Sequence, residues 1–283
     1  MKKHIKSLLQ QAAYLKWIPN ALTLGNSLCG FAAILNTLQV YEKMSPLSGA
    51  GIAAPGTETI FAVSALMILC AMVFDAFDGF AARLLNAASL HGIQMDSLAD
   101  MVTFGVAPAA LVAVMAHYLD GGNSNRFLLV WVLSAVYLGC AALRLAKYNV
   151  HAMLEKKSSD KFSGLPSPGA AAAVCSLIFL FAVDPGQKVR SLLFFLPWYA
   201  AVLGFLMVST IPYQHFGKWL FSVPKNKGRL GILLLLLAGF LLESLLTKKA
   251  PVWVTAVLIN GYILWSPLKW IFCKFIFRKA AAA

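Results

Sequence analysis

The sequence predicts an all-α integral membrane protein with about eight transmembrane helices, and three observations carry that expectation. Of its 283 residues, 60% are hydrophobic and only 12% are charged, whereas a soluble domain carries roughly 25% charged residues. Mean hydropathy is +0.74. Apolar runs of spanning length recur along the chain, with lysines and arginines between them. These features exclude a cytosolic enzyme, a disordered tail and a disulfide-stapled secreted domain.

Residues 1–17 form the first expected element, an amphipathic helix lying on the membrane surface. Ile5, Leu8, Leu9, Ala12 and Leu15 supply its apolar side, and Lys2, Lys3, Lys6 and Lys16 its basic side. A spanning helix needs about 20 mostly apolar residues. Such runs fall at 20–40, 58–77, 99–119, 127–147, 169–184, 191–212, 230–247 and 251–272. Proline and glycine punctuate the intervals, as at Pro46, Gly121-Gly122, Pro185-Gly186 and Pro224. Both termini and the segments after spans two, four and six hold 18 of the 24 lysines and arginines. The positive-inside rule therefore puts both termini in the cytoplasm, in a prokaryotic inner membrane. The net charge of +13 is dispersed between apolar runs, which suits anionic lipid rather than nucleic acid. Five scattered cysteines read as small buried hydrophobes. No small-residue cleavage site follows the first apolar run, so no cleavable signal is expected.

The acids are the informative residues. Only 11 exist, and Asp75, Asp78, Asp96 and Asp100 fall within one 26-residue window at the edges of spans two and three. Spacings of three and four put each pair on one helix face. Two antiparallel neighbours joined by a short loop can turn those faces toward each other. Four carboxylates converging near a bilayer repel one another and are costly to desolvate. Hard divalent cations, Mg²⁺ or Mn²⁺, are the natural compensation, because they prefer oxygen ligands. Gly79 either lets a phosphate or ribose approach the backbone or packs helices together with Ala81 and Ala82. Arg83 either pairs with a phosphate oxygen or snorkels to the interface.

The window reads D-x2-D-G-x2-A-R-x8-G-x3-D-x3-D, every fixed position being filled between Asp75 and Asp100. This resembles the signature of the CDP-alcohol phosphotransferases. The stretch from Asp96 to Pro108 is similar to that of the family's phosphatidylserine synthases, as are Ala142–Asn149, Phe162–Pro168 and the opening Pro19–Asn26. The likeness covers residues 18–212. It implies a six-helix bundle, usually homodimeric, with residues 213–283 as an appended pair of spans. It also implies two divalent cations, Mg²⁺ or Mn²⁺, held by Asp75, Asp78 and Asp96, with Asp100 as general base and further ligand. Asn20, Thr23, Gly79, Arg83 and Ser89 would bind CDP-diacylglycerol.

The implied reaction joins CDP-diacylglycerol and L-serine to give phosphatidylserine and CMP. Arg144 and Lys147 either meet the serine carboxylate or a lipid phosphate, or only set topology. Asn149 either binds substrate or ends its helix, and Phe162–Pro168 either closes over the acceptor pocket or makes a rigid turn. His91 stays a candidate by its position beside Gly92. The alternatives are transfer to glycerol 3-phosphate, choline or inositol, and a membrane transporter. A transporter predicts acids near mid-membrane on several spans, whereas these sit at one end of two.

Overall fold

The computed structural model describes residues 2–44, 56–85, 90–121, 124–154, 164–213 and 252–280. These residues are helical, with short turns between helices. The helices are α1 (Lys2–Met44), α2 (Thr57–Leu84), α3 (Leu90–Asp100), α4 (Ala107–Leu119), α5 (Phe127–Leu154), α6 (Ser167–Val183), α7 (Gln187–Leu193), α8 (Leu196–Val208) and α9 (Val252–Ala280). A six-residue π-helical turn, Met101–Val106, joins α3 to α4.

Among the described residues, four stretches are long and apolar enough to cross a membrane: Trp17–Met44, Thr57–Ala82, His91–Leu119 and Phe127–Val150. A fifth is the pair α7 and α8, bent by 46° at their junction. That bend divides the span expected at 191–212. Phe194 and Phe195 make the break, and Pro197 opens α8, where a missing N–H leaves no helical bond unmade. α6 is apolar but only 17 residues long. The span expected at 230–247 lies outside the described residues, and α9 lies over the run expected at 251–272 without being among these candidate spans. Residues 2–16 continue α1 without a helical break, and their side chains lie outside those described.

The His91–Leu119 stretch runs through the middle of the bundle, with 67% of its apolar window buried against 28% for α1. Phe104, Leu111, Val112 and Met115 from this stretch pack with Phe61, Ile68, Tyr137 and Phe181. Peripheral helices instead expose apolar stripes. Leu24, Leu28, Phe31, Leu35 and Leu38 recur at helical spacing on α1, the pattern of a face turned to lipid. Polar staples join α1 to α2 at depth: Asn36 Nδ2 donates to Ile60 O and Ser64 Oγ, each at 2.9 Å.

The α5–α6 connection ends in a fixed turn rather than a free flap. Gly164 N–H donates to Ile211 O and Leu165 N–H to Leu206 O, each at 2.9 Å. Gly164 has φ +93°, and a Cβ there would run into Met207 O and come within 3.0 Å of Ser209 O. Of the two readings of 162–168, the rigid turn fits its described part, 164–168. Gly164→Ala is expected to destabilise the fold by about 1–3 kcal/mol, seen as a lower unfolding temperature in detergent. An unchanged temperature would mean that the turn relaxes freely.

Candidate active site

Four helices meet at one end of the bundle, each bringing a particular side chain. α1 carries Asn20, Thr23 and Asn26, three residues apart in an otherwise apolar stretch. α2 carries Asp75 and Asp78 toward its C-terminal end, and α3 carries Asp96 and Asp100, the latter its last residue. One carboxylate oxygen from each of Asp75, Asp78 and Asp96 lies within 4.8 Å of the others. Asp78 is buried, only 5% exposed. Thr23 Oγ1 donates to Asp78 Oδ2 at 2.8 Å, and the Gly79 backbone N–H also donates to the Asp78 carboxylate.

Asp100 adjoins this trio. Its carboxyl group is in hydrogen-bonding contact with that of Asp75, and Asn26 Nδ2 donates to Asp100 Oδ1 at 3.2 Å. Two unit charges 4 Å apart repel by roughly 4 kcal/mol at an effective dielectric near 20. Such a cluster calls for a positive partner. Asp96 Oδ1 is buried with no hydrogen-bond partner among the described residues. An orphaned buried carboxylate oxygen beside two others is a donor set that fits a hard divalent cation.

Near Asp100, α5 supplies a half-buried cation. Arg144 Nη1 donates to Ser167 Oγ at 2.9 Å, tying α5 to the start of α6. Its Nε is buried and unpartnered among the described residues, and its charge is close enough to interact with Asp100. The site thus pairs an oxygen-rich cation cradle with a guanidinium that retains an unused donor.

Residues 16–209 match the CDP-alcohol phosphatidyltransferase family. The chain belongs to that family. It is 30% identical over 230 residues to the CDP-diacylglycerol–serine O-phosphatidyltransferase of Helicobacter pylori, covering 79% of this chain and 86% of that protein. The Bacillus subtilis protein of the same name is 34% identical over 205 residues, 72% of this chain and 93% of its own length. The Saccharomyces cerevisiae protein of that name is 44% identical over 117 residues, 40% of each chain. CDP-alcohol phosphatidyltransferases use divalent cations, in keeping with the carboxylate trio.

The other expected residues of this phosphatidyltransferase divide by position. Asn20 is half-buried one turn before Thr23, on the cluster side of α1. Arg83 lies on the last turn of α2, and Ser89 lies outside the described residues. Lys147 is exposed, whereas Asn149 turns inward and accepts from Ser97 Oγ at 2.7 Å. That bond ties α5 to the α3 turn between Asp96 and Asp100. His91 is exposed on the first turn of α3. Sequence reasoning missed Asn26, Ser97 and Ser167. For Asn26 the available signal was polar residues at every third position, Asn20, Thr23 and Asn26, in an apolar stretch of α1.

Thr23→Val removes a hydroxyl from a buried carboxylate while keeping the side chain's shape. It is expected to raise the Mg²⁺ or Mn²⁺ concentration for half-maximal CMP release about tenfold, as the loss of one charge-assisted bond of about 1.5 kcal/mol predicts. Thr23→Ser should restore it. Equal metal dependence in the three proteins would remove Thr23 from the site.

Proposed function

We propose that this protein transfers the phosphatidyl group of CDP-diacylglycerol to L-serine, releasing CMP and forming phosphatidylserine in membrane phospholipid synthesis. The observation that carries the reading is the convergence of the Asp75, Asp78 and Asp96 oxygens within 4.8 Å, in a chain of this family.

Asp75, Asp78 and Asp96 would hold the divalent cations. When bound, these supply charge neutralisation at the diphosphate. Thr23 and the Gly79 N–H orient Asp78, so that cradle geometry is set before substrate arrives. Asn20, Thr23, Gly79, Arg83 and Ser89 would bind the cytidine diphosphate in this reading. Asp100 takes the proton of the acceptor hydroxyl as its oxygen bonds to the phosphatidyl phosphorus and the bond to the CMP oxygen breaks. A carboxylate is a weak base, so holding the hydroxyl in line contributes more than basicity does. The serine carboxylate needs a cation away from the acidic trio. Arg144 meets that need through its Nε, which has no partner among the described residues, and Lys147 and Asn149 follow it on α5. The basic-residue bias supports an orientation with this end and both termini in the cytoplasm. The functional unit in this reading is a homodimer in a prokaryotic inner membrane. Residues 1–17 lie on the surface, 18–212 form the catalytic domain of six spans, and 213–283 are an added pair of spans.

Excess chelator is expected to abolish CMP release by the purified protein, and Mg²⁺ or Mn²⁺ to restore it. Asp75→Ala and Asp96→Ala should lose activity together with metal binding. Asp100→Asn should lower kcat by roughly 10²–10⁴ while retaining CDP-diacylglycerol binding. Full activity in chelator would overturn the metal role; near-normal turnover by Asp100→Asn would overturn the base.

The acceptor is tested by a panel of alcohols with CDP-diacylglycerol. L-Serine should drive CMP release, and choline and inositol should not, because a quaternary ammonium wants an aromatic cage. Arg144→Ala should raise the KM for serine or abolish turnover, with nucleotide-lipid affinity largely retained. If glycerol 3-phosphate outcompetes serine, the transfer chemistry stands and the acceptor assignment falls.

A further inference from the structure

Asn26 combines four features that no tie between helices requires. It is fully buried, 0% exposed, in the middle of α1. Its Nδ2 donates to Asp100 Oδ1 at 3.2 Å. Its backbone carbonyl accepts from Thr103 Oγ1 at 3.0 Å, and Thr103 belongs to the π-helical turn that begins directly after Asp100. Its own Oδ1 is buried without a partner among the described residues. An orphaned buried acceptor costs about 1–3 kcal/mol. An asparagine kept only to join α1 to α3 would be expected to satisfy both ends of its amide.

The surroundings hold that amide in register. A Cβ at Gly30 would come 2.8 Å from Thr103 Cα, so only glycine lets α1 approach the turn this closely. On the opposite flank, Tyr137 OH donates to Phe104 O at 2.9 Å. Pro108, four residues after Phe104, has no N–H to give that carbonyl. The tyrosine replaces the missing bond. The π-turn is thus clamped by α1 on one side and α5 on the other, directly beyond the proposed base. π-Turns in helices concentrate at functional sites, where they re-aim side chains.

We propose that Asn26 is a positioning residue of the transfer reaction. Keyed to the π-turn through Thr103, its amide fixes the Asp100 carboxylate toward the acceptor hydroxyl. This rests on Asp100 being the base, and the test separates the two ideas. Asn26 acts through Asp100, so its removal matters only while Asp100 can accept a proton.

The experiment is a double-mutant cycle on the full-length protein in detergent, with CMP release from CDP-diacylglycerol and L-serine as the readout. Asn26→Ala should lower kcat by about 10–100-fold, the scale expected when a catalytic group is misplaced. The KM for CDP-diacylglycerol and the half-saturating Mg²⁺ should stay within about twofold. Added to Asp100→Asn, the same change should cost less than about twofold more. Thr103→Val keeps the shape of the turn but cuts the key. It serves as the second arm, with a smaller fall in kcat that also vanishes in Asp100→Asn. Equal losses in both backgrounds, or a loss carried by the KM for CDP-diacylglycerol, would overturn the role of Asn26 alone. Near-normal turnover by Asp100→Asn would overturn the base and this role together.

Discussion

Carboxylates gathered inside an apolar helical bundle impose the constraint to which the rest of this structure answers. Desolvation and mutual repulsion both work against Asp75, Asp78, Asp96 and Asp100, and neither is relieved by lipid-facing leucines. The fold answers with directed dipoles and with position. Thr23 and the Gly79 N–H address Asp78, and Asn26 addresses Asp100. Asp75 and Asp78 lie toward the C-terminal end of α2, and Asp96 and Asp100 in the second half of α3. Among the described residues, what remains uncompensated is the Asp96 Oδ1 and the mutual approach of the trio. A divalent cation held there would offset that remainder. Stability and function are coupled here, since the same oxygens that repel one another inside the bundle form the candidate cation site.

Much of this was legible in sequence because membranes simplify the code. A lipid-exposed backbone must satisfy itself, so span-length apolar runs read directly as helices. Four acids among 11 in one 26-residue window stand out against such a background. The spacings of three and four gave the correct faces, and the structure brings Asp75, Asp78 and Asp96 together as those faces require. Boundaries were less legible. The expected third span began at residue 99, but helix runs back to Leu90 through a polar stretch that hydropathy alone discounts. The bend between α7 and α8 was hidden because it falls inside the apolar run Leu192–Leu196, where only Pro197 marks it.

The π-turn was beyond any reading of period. Its register shift is small, and its cause is distributed over Gly30, Tyr137 and Pro108, which lie far apart in the chain. Asn26 closes the motif Pro19–Asn26, and the sequence does not set it apart there, because one asparagine in an apolar span is commonly a satisfied interhelical bond. Only three-dimensional contact distinguishes an asparagine facing a carboxylate from one facing a backbone carbonyl. Asn149 illustrates the same limit. Its sequence position allows either substrate binding or helix termination, yet it bonds Ser97 and so braces the helix that carries two of the acids.

The last helix shows how an element outside the family match at 16–209 is fixed to the bundle. Apolar surface offers no net preference for protein over lipid, so association within a membrane depends on packing and polar contacts. α9 turns a narrow stripe of Val252, Ala256 and Ile263 inward and leaves Val257, Trp265 and Leu268 outward. Asn260 lies along that stripe, one turn from both Ala256 and Ile263. Its Nδ2 donates to Ser176 Oγ at 3.1 Å and to Ala256 O at 2.7 Å, while Tyr199 OH donates to its Oδ1. Tyr213 OH adds a bond to Ile263 O at 3.3 Å. Each interhelical bond of this kind contributes about 0.6–2 kcal/mol in a membrane, modest as energy but directional. A leucine at 260 would let α9 rotate or slide along α6 with little penalty. The amide allows one rotation and one depth, because both of its ends find partners only there.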